Sequence, residues 1–460
     1  MFNFMHTNKL VAWRDLPNAS DFVLTGTRLR FAQPFQTREG RDFCDSVLSN
    51  SRGGTMSMAT QTISESRKVF IRVRAENPLM ALEKIRGADF GTMTMAPTQP
   101  GIFIADVTDE DLRHLRERDH VEVYEDYQFH LFDDTETWKF DQPAPMMGEV
   151  PWSGKTQADV LTAINAPAAW TKTRGQNVTI VIVDTGVATQ EGVHPSTLSI
   201  SPTFNTAWED AVGHGSMCAA IAAGSTDQGA RYDGVAPDAT ILSARSTLLA
   251  SDLYTIYTYL LTKYLGGSFP GGVVVSNSFG HYTCNAPTFP QGHPYVDLVR
   301  TCVQNGMLFV YAAGNNHATG LCNHPPATDA PNTIWATNSI DEVISVGTVN
   351  WNGSNQEPGA HANSSRGPGQ WSTRRDKPDV VAPTYGEVRW GSGYQVMEWW
   401  GTSGAAPQVA GLAALLLSID STLTPARIMQ IIKSTARWTG GSSSCVGTGM
   451  IDCAAALAAI

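Results

Sequence analysis

The sequence predicts an α/β protein built on a mainly parallel sheet and preceded by a small α+β domain. Charged residues make up 34 of the first 132 positions but only 41 of the remaining 328, which indicates two parts of different construction. The longer part contains several β-branched runs, each followed by a Gly, Asn or Ser turn and then by a helical pattern. Strands that alternate with helices in this way are typical of parallel sheets.

The front part has the pattern of a βαββαβ unit. Thr108 precedes three acidic residues, which is typical of a helix start because the side chain caps the helix and the charges favour its dipole. In chain order the pattern predicts a strand at Lys68–Arg74, a helix at Pro78–Ile85, strands at Gly91–Ala96 and Gly101–Ala105, a helix at Asp109–Arg116 and a strand at Val121–Glu125. This order is typical of a ferredoxin-like domain.

Composition sets the other boundaries. Residues 1–65 show no sustained periodicity, and we treat them as a leader of unknown role. The ferredoxin-like domain takes residues 66–132, and an acidic, then Pro-rich linker takes residues 133–158. The α/β domain takes residues 159–460.

The composition of the 460-residue chain argues against several partners. Its net charge is −11 and it has no long Lys/Arg run, so we expect neither nucleic acid nor a membrane as a partner. No window approaches the roughly 18–20 consecutive apolar residues of a transmembrane helix. A conventional signal peptide is not visible at the N-terminus. We therefore expect a soluble protein.

An acid, a base and a hydroxyl nucleophile lie at three predicted strand-to-helix turns. The apolar run Thr179–Val183 places Asp184 at its carboxyl end. His214 lies between two glycines before an Ala-rich helical run, and Ser403 precedes the helix expected over Gln408–Ser418. Each residue alone has a simpler interpretation as a turn former or helix cap. Together they are the groups that acyl transfer by an activated serine requires.

The segments around these residues resemble the signature segments of the subtilisin-like serine proteases, the subtilases. They are VIVDTG, GHGSMCAAIAAG and GTSGAAPQVAG, in the order Asp, His, Ser that is typical of this family. The likeness continues through GVAPDATI, VVVSNSFG, VYAAGNN and KPDVVAP and covers about residues 160–437. It implies a subtilisin-like three-layer fold and a serine endopeptidase that hydrolyses peptide bonds.

The resemblance also implies a role for each residue. Ser403 would attack the scissile carbonyl, His214 would take its proton, and Asp184 would orient the imidazole. Asn315 occupies the position where the family carries its oxyanion-hole side chain, and it would act with the Ser403 backbone N–H.

Substrate-binding segments follow from the same resemblance. Ser278-Phe279-Gly280 would pair with the substrate residues before the cut, and Ala312-Ala313-Gly314 would wall the first specificity pocket. Small residues and the lack of an acidic one favour an uncharged, bulky side chain just before the cut. The protein and peptide substrates would therefore bind by extended main chain.

Some positions depart from the family pattern. Gly404 and Ala405 replace the more common Met-Ala, and Gln408 lies where His is frequent. None of these positions supplies a catalytic group. Calcium-binding loops of the family have no matching signature here, so no metal and no cofactor is assigned, and a structural calcium ion is left open.

The front domain resembles the inhibitory propeptide of this family. Its C-terminal segment Gln128–Phe132 would occupy the substrate cleft as an intramolecular inhibitor, and the first self-cleavage would fall between Phe132 and Asp133. The chain would then be a zymogen, and we favour a secreted or otherwise released protein over a cytoplasmic one. The simpler alternative is an ordinary α+β domain with another partner.

The cysteines permit several arrangements. Cys218 follows His214 by four residues, as in the proteinase K-like subset, where this residue is a buried unpaired thiol. We expect disulfides between Cys284 and Cys322 and between Cys445 and Cys453, although pairing is not deducible from sequence alone.

Two other functions stay open at this point. The same acyl-enzyme chemistry suits a dedicated processing protease or a peptide ligase that acts on one partner protein. A different class is a non-catalytic subtilase-like binding module, which the presence of all four catalytic residues disfavours.

Overall fold

The computed structural model describes residues 66–74, 93–95, 99–131, 154–188, 192–281, 289–317, 333–351, 356–372, 376–397 and 399–460. The leader, the helix predicted at Pro78–Ile85, most of the linker, the expected cleavage site Phe132–Asp133 and the expected Cys284–Cys322 pair lie outside these residues. The chain forms two compact units, of which the first ends at Glu125 and the second begins at Asp126.

The first unit contains a four-stranded antiparallel sheet and one described helix. Its elements are β1 (Arg67–Val73), β2 (Met93–Met95), β3 (Ile102–Val107), α1 (Asp109–Arg116) and β4 (Val121–Glu125). The strand order is β2-β3-β1-β4, which is the order that a βαββαβ unit produces. Thr108 caps α1 through a reciprocal capping box with Asp111. The helix packs Leu112 and Leu115 onto the sheet.

The second unit is built on an eight-stranded sheet. Its strands are β5 (His130–Leu131), β6 (Thr179–Asp184), β7 (His194–Pro195), β8 (Thr240–Arg245), β9 (Val273–Asn277), β10 (Phe279–Gly280), β11 (Leu308–Ala312), β12 (Ile344–Trp351), β13 (Gln356–Ala360), β14 (Val380–Pro383), β15 (Gly386–Trp390) and β16 (Gly393–Met397). The large sheet has the order β13-β12-β11-β9-β6-β8-β7, and β14 also pairs with β12. All its pairings are parallel except β12 with β13.

The helices of this unit are α2 (Gln157–Ala163), α3 (Ala166–Ala169), α4 (His214–Ala223), α5 (Ala250–Leu265), α6 (Pro294–Gln304), α7 (Gly401–Ile419), α8 (Pro425–Thr435), α9 (Ser443–Val446) and α10 (Cys453–Ala458). Strands β6 and β9 are buried throughout, because a parallel sheet is covered on both faces. The predicted α/β class with a mainly parallel sheet is confirmed.

Helix α7 is the central helix of the core. Among the described residues it alone is long and apolar enough to cross a membrane by composition, but 89% of its most apolar window is buried inside the protein. Seventeen of its residues, from Gly401 to Leu417, are buried. The helix is therefore apolar because it lies in the core. It begins at Gly401, two residues before Ser403.

Candidate active site

Asp184 ends the central strand β6, between β8 and β9. The strand is apolar until this residue, so the sheet itself delivers a carboxylate to its carboxyl edge. The side chain is 1% exposed. Its oxygens accept hydrogen bonds from the Thr185 backbone N–H at 2.7 Å and from His214 Nδ1 at 2.8 and 3.0 Å. A buried charge needs such partners, and here they fix its orientation.

His214 is the first residue of α4, and a glycine next to it allows the helix to approach Asp184. A Cβ on Gly215 would lie 2.0 Å from the Gly186 carbonyl oxygen, so any residue other than glycine at position 215 would clash with this oxygen. The imidazole is 2% exposed. Nδ1 faces Asp184, and Nε2 is buried without a hydrogen-bond partner among the described residues. The free ring nitrogen is thus the one available for proton transfer.

Asp210 holds the turn that presents His214, and the sequence analysis missed it. Its carboxylate accepts the backbone N–H groups of Gly213 and Ser216, both at 2.8 Å, and the Thr185 hydroxyl at 2.8 Å. It thereby joins the start of α4 to the residue that follows Asp184. The sequence carries a signal for it, an aspartate three residues before the Gly-His-Gly segment, but an isolated aspartate in a polar loop does not stand out.

Ser403 lies in the first turn of α7, and a proline four residues later shapes its surroundings. Pro407 has no backbone N–H, so the Ser403 carbonyl has no helical partner at that position. It accepts a hydrogen bond from Ser278 Oγ at 3.0 Å instead. The Ser403 hydroxyl donates to the Ser278 carbonyl at 3.4 Å. Two hydrogen bonds therefore join Ser403 to Ser278, the residue before β10.

Asn315 follows β11 and is held by Thr402. Its Oδ1 accepts the Thr402 backbone N–H at 3.0 Å and the Thr402 hydroxyl at 2.9 Å. The amide is buried, with 4% of the residue exposed. Because Oδ1 is committed to Thr402, which directly precedes Ser403, the Asn315 side chain lies beside the serine with its oxygen turned to the helix start.

The buried pair of His214 and Asp184 sets the titration of the imidazole. Burial alone lowers the pKa of His214, but the adjacent Asp184 carboxylate more than offsets this, and the pKa is raised well above the ordinary value of 6.5. A base that accepts a proton at Nε2 must first be neutral. The imidazole of this site is therefore ready to act only at higher pH than an ordinary histidine.

We expect the acid limb of kcat/KM on a peptide substrate to lie above pH 6.5, with activity rising as His214 loses its proton. Asp184→Asn removes the charge that raises this pKa, so the limb should move to lower pH while kcat falls. The measurement is a pH profile of both enzymes at fixed ionic strength. A wild-type limb at or below pH 6.5 would contradict this assignment.

The segment Asp126–Leu131, here called the docked segment, lies between two edges of the second unit. On one side Phe129 N–H donates to the Leu248 carbonyl and Ala250 N–H to the Tyr127 carbonyl, both at 2.8 Å. On the other side β5 pairs antiparallel with β10, with Leu131 opposite Phe279 and His130 opposite Gly280. Of the predicted pairing segment Ser278–Gly280, the residues Phe279 and Gly280 thus pair with an extended piece of the chain itself.

Phe129 anchors the docked segment in an aromatic pocket that the sequence analysis missed. The side chain is fully buried. Its ring centroid lies 5.0 Å from that of Tyr295, 5.3 Å from Phe289, 5.8 Å from His281 and 5.9 Å from Phe279. The four pocket residues lie between positions 279 and 295, at least 150 residues after Phe129, so no local pattern around Phe129 indicates the pocket. Asp126 adds a polar anchor, because it accepts the Ser251 backbone N–H at 2.8 Å at the start of α5.

Ala312 ends β11, and Ala313 and Gly314 follow it directly. The two alanines are buried, and Gly314 N–H donates to the Thr402 hydroxyl at 3.0 Å. Asn338 Nδ2 bridges this strand end to β10, since it donates to the Ala312 and Phe279 carbonyls, both at 2.8 Å. The structure thus brings both predicted substrate segments together beside Ser403.

The described cysteines are all buried thiols. Cys218 Sγ lies 3.8 Å from Asp184 Oδ2 and 3.6 Å from the Ser403 carbonyl, and burial raises its pKa, so it is a neutral thiol. The side chains of Asp184, His214 and Cys218 could surround a metal ion by distance alone, but the carboxylate and the imidazole already satisfy each other.

The expected Cys445–Cys453 disulfide is wrong. Cys445 lies in α9, where its sulfur accepts a hydrogen bond from Arg366 Nη1 at 3.1 Å. Cys453 begins α10, which Asp452 caps. The two thiols are thus built into separate helices, each with its own contacts.

Comparison with known proteins identifies the family. The sequence model of the Peptidase_S8 family, described as the subtilase family, matches residues 175–449, which include all three predicted triad residues. The chain belongs to the subtilase family. This subtilase is 25% identical to serine protease AprX of Bacillus subtilis over 305 residues, which cover 60% of this chain and 65% of AprX.

A second relative and a solved structure also match this chain. Mycosin-4 of Mycobacterium tuberculosis is 29% identical over 315 residues, which cover 63% of this chain and 66% of Mycosin-4. The chain therefore spans about two thirds of the length of these two relatives. The crystal structure of MycP1 with its N-terminal propeptide removed matches with a TM-score of 0.50 at 24% identity, over 65% of this chain and 96% of that one. This match shows the subtilisin-like fold of the α/β domain.

Proposed function

We propose that this subtilase is a serine endopeptidase that cleaves peptide bonds through an acyl-enzyme on Ser403. The observation that carries the proposal is the buried pair in which His214 Nδ1 donates to Asp184 at 2.8 Å while Nε2 has no partner among the described residues. Ser403 lies in the first turn of α7, and Asn315 lies beside it through Thr402. An acid, a base, a nucleophile and an oxyanion donor are what acyl transfer requires.

In the proposed reaction Ser403 Oγ attacks the scissile carbonyl and His214 Nε2 takes its proton. In the structure the Ser403 hydroxyl donates to the Ser278 carbonyl at 3.4 Å, so substrate binding must turn it toward Nε2. Contacts of this kind often tighten only when substrate is bound. Asp184 stabilises the imidazolium through the Nδ1–H bond. Asn315 Nδ2 and the Ser403 N–H then hold the oxyanion before the proton passes to the leaving amine.

We also propose that the chain is made as a zymogen. The docked segment supports this, because its backbone pairs with Leu248–Ala250 and Phe279–Gly280 as a substrate would. Leu131 lies opposite Phe279, and Phe279 directly follows Ser278, whose carbonyl accepts the Ser403 hydroxyl. Self-cleavage after Phe132 would fit an uncharged pocket walled by Ala312–Gly314. Release from the cell, with cleavage of bulky apolar sites in other proteins, is part of the same proposal.

A fluorophosphonate probe tests the proposed chemistry directly. After incubation of the full chain at neutral pH, we expect a covalent adduct on Ser403, mapped by peptide mass spectrometry. Ser403→Ala should give no adduct, and His214→Ala should react far more slowly because the base is missing. Phe129→Ala, in which the docked segment is weakened, is labelled in parallel. If the folded wild type and the folded Phe129→Ala chain both stay unlabelled, the proposal is overturned in favour of a binding module.

A further inference from the structure

Trp390 packs against the imidazole of His214 from a hairpin that the proposed mechanism does not use. The two ring centroids lie 6.2 Å apart with the planes at 89°, so one ring meets the other edge-on. The next residue, Gly391, donates its N–H to the Gly213 carbonyl at 3.4 Å. A Cβ on Gly213 would lie 2.4 Å from Trp390 Nε1. Glycine at position 213, with φ at +94°, is therefore what allows the indole to come this close.

The hairpin β15–β16, which carries Trp390, is held by contacts of Arg231 and Arg389. Arg231 stacks its guanidinium 4.6 Å from the ring centre of Tyr394 and donates through Nη1 to Glu387 at 2.6 Å. The Arg231 backbone N–H donates to the Tyr394 hydroxyl at 2.7 Å. Near the turn, Arg389 Nε donates to the Gly391 carbonyl at 3.1 Å. These contacts fix both strands of the hairpin, so the indole is held rather than free to swing.

Trp390 contacts the imidazole that the proposed reaction uses to protonate the leaving amine. The docked segment approaches Ser403 along Phe279 and Ser278, so residues before the cut lie on that side. The leaving amine must take its proton from His214 Nε2. A ring packed edge-on against this imidazole therefore lies next to the group that would protonate the leaving amine. Nε2 is buried and has no partner in the described part of the chain, which means that water does not freely reach it in this arrangement.

We propose that Trp390 is a positioning residue that fixes the imidazole of His214 and shields Nε2 from water on the leaving-group side. The proposal rests on the serine endopeptidase function proposed above. It predicts that the acyl-enzyme favours an amine acceptor over water more than an unshielded site would. In that step the amine nitrogen attacks the ester carbonyl and gives a proton to Nε2. The bond between that carbon and Ser403 Oγ then breaks, and Oγ takes the proton back.

The test compares Trp390→Ala, Trp390→Phe and the control Trp438→Ala, whose tryptophan is 59% exposed. With a peptide ester as acyl donor and glycinamide as acceptor, the ratio of new amide to hydrolysed product is measured beside kcat and KM on a peptide amide. For Trp390→Ala we expect kcat to fall about tenfold with KM nearly unchanged, and the ratio to fall at least threefold, on the order expected for a loosened base. Trp390→Phe keeps an aromatic edge on a smaller ring, so both values should fall between those of Trp390→Ala and the wild type, and Trp438→Ala should match the wild type.

The outcomes separate this inference from the proposed function. If neither the wild type nor Phe129→Ala forms an adduct with the fluorophosphonate probe, the endopeptidase is refuted, whatever the Trp390 variants do. A reactive wild type with an unchanged product ratio in Trp390→Ala overturns the role of Trp390 alone. If Trp390→Ala does not fold, the product ratio of Trp390→Phe tests the proposal instead. Its smaller ring should lower the ratio measurably below that of the wild type, and an unchanged ratio overturns the proposal.

Discussion

Ser403→Ala is expected to lower kcat/KM on a peptide substrate by about 10⁶-fold, because the acyl-enzyme can no longer form. His214→Ala should lower kcat/KM by a similar factor. Residues that act as one unit are not additive, so the double variant should be no worse than either single one. The activity that remains should come from binding and the oxyanion donors around Asn315. The measurement is hydrolysis of an internally quenched peptide with a bulky apolar residue before the cut.

Ser418→Ala is the matched control for this experiment. It changes a serine to alanine in the same helix, about 22 Å along the axis from Ser403 at 1.5 Å per residue. Among the described residues, Ser418 Oγ forms hydrogen bonds with Thr173 Oγ1 and the Leu415 carbonyl, far from the proposed triad. We expect full activity. A Ser403→Ala protein that stays as folded as Ser418→Ala but keeps more than about 1% of wild-type kcat/KM would remove Ser403 from the mechanism.

Phe129→Ala is expected to weaken the hold of the docked segment on the cleft by about 10²–10³-fold. The side chain is fully buried among four aromatic rings, and removal of such a phenylalanine costs about 3–5 kcal/mol. We would measure the inhibition constant of a synthetic peptide of residues 124–132 against the processed enzyme. The full-length Phe129→Ala chain should also show activity earlier after refolding than the wild type does.

His130→Ala serves as the control for Phe129. His130 is the next residue along the strand and points the other way, so it is exposed where Phe129 is buried. Its removal keeps the backbone pairing with Gly280 and should change the inhibition constant by less than about threefold. Equal effects of the two substitutions would mean that the aromatic pocket does not determine binding.

The sequence could suggest the proposed catalytic residues because each lies at a turn with a local signature. The apolar strand before Asp184, the glycines beside His214 and the small residues after Ser403 each constrain the backbone where a functional group must appear. The parallel sheet then brings the ends of β6 and β11 together at one edge, which places the triad strand and Asn315 near each other.

The supporting residues could not be predicted because their contacts are long-range. Phe129 meets Phe289 and Tyr295 only after the chain has folded, and no spacing links them. Trp390 reaches His214 from a hairpin more than 170 residues away along the chain. The expected Cys445–Cys453 pair failed for a related reason, since the helices that hold each thiol are set by distant partners such as Arg366.

The central claim is that this subtilase is a self-processing serine endopeptidase. The most direct test is the intact mass and N-terminal sequence of the purified full chain beside Ser403→Ala, after incubation at neutral pH. We predict that the wild type breaks between Phe132 and Asp133 while Ser403→Ala stays whole. If both chains stay intact, or if both break at the same bond, self-processing by Ser403 is contradicted.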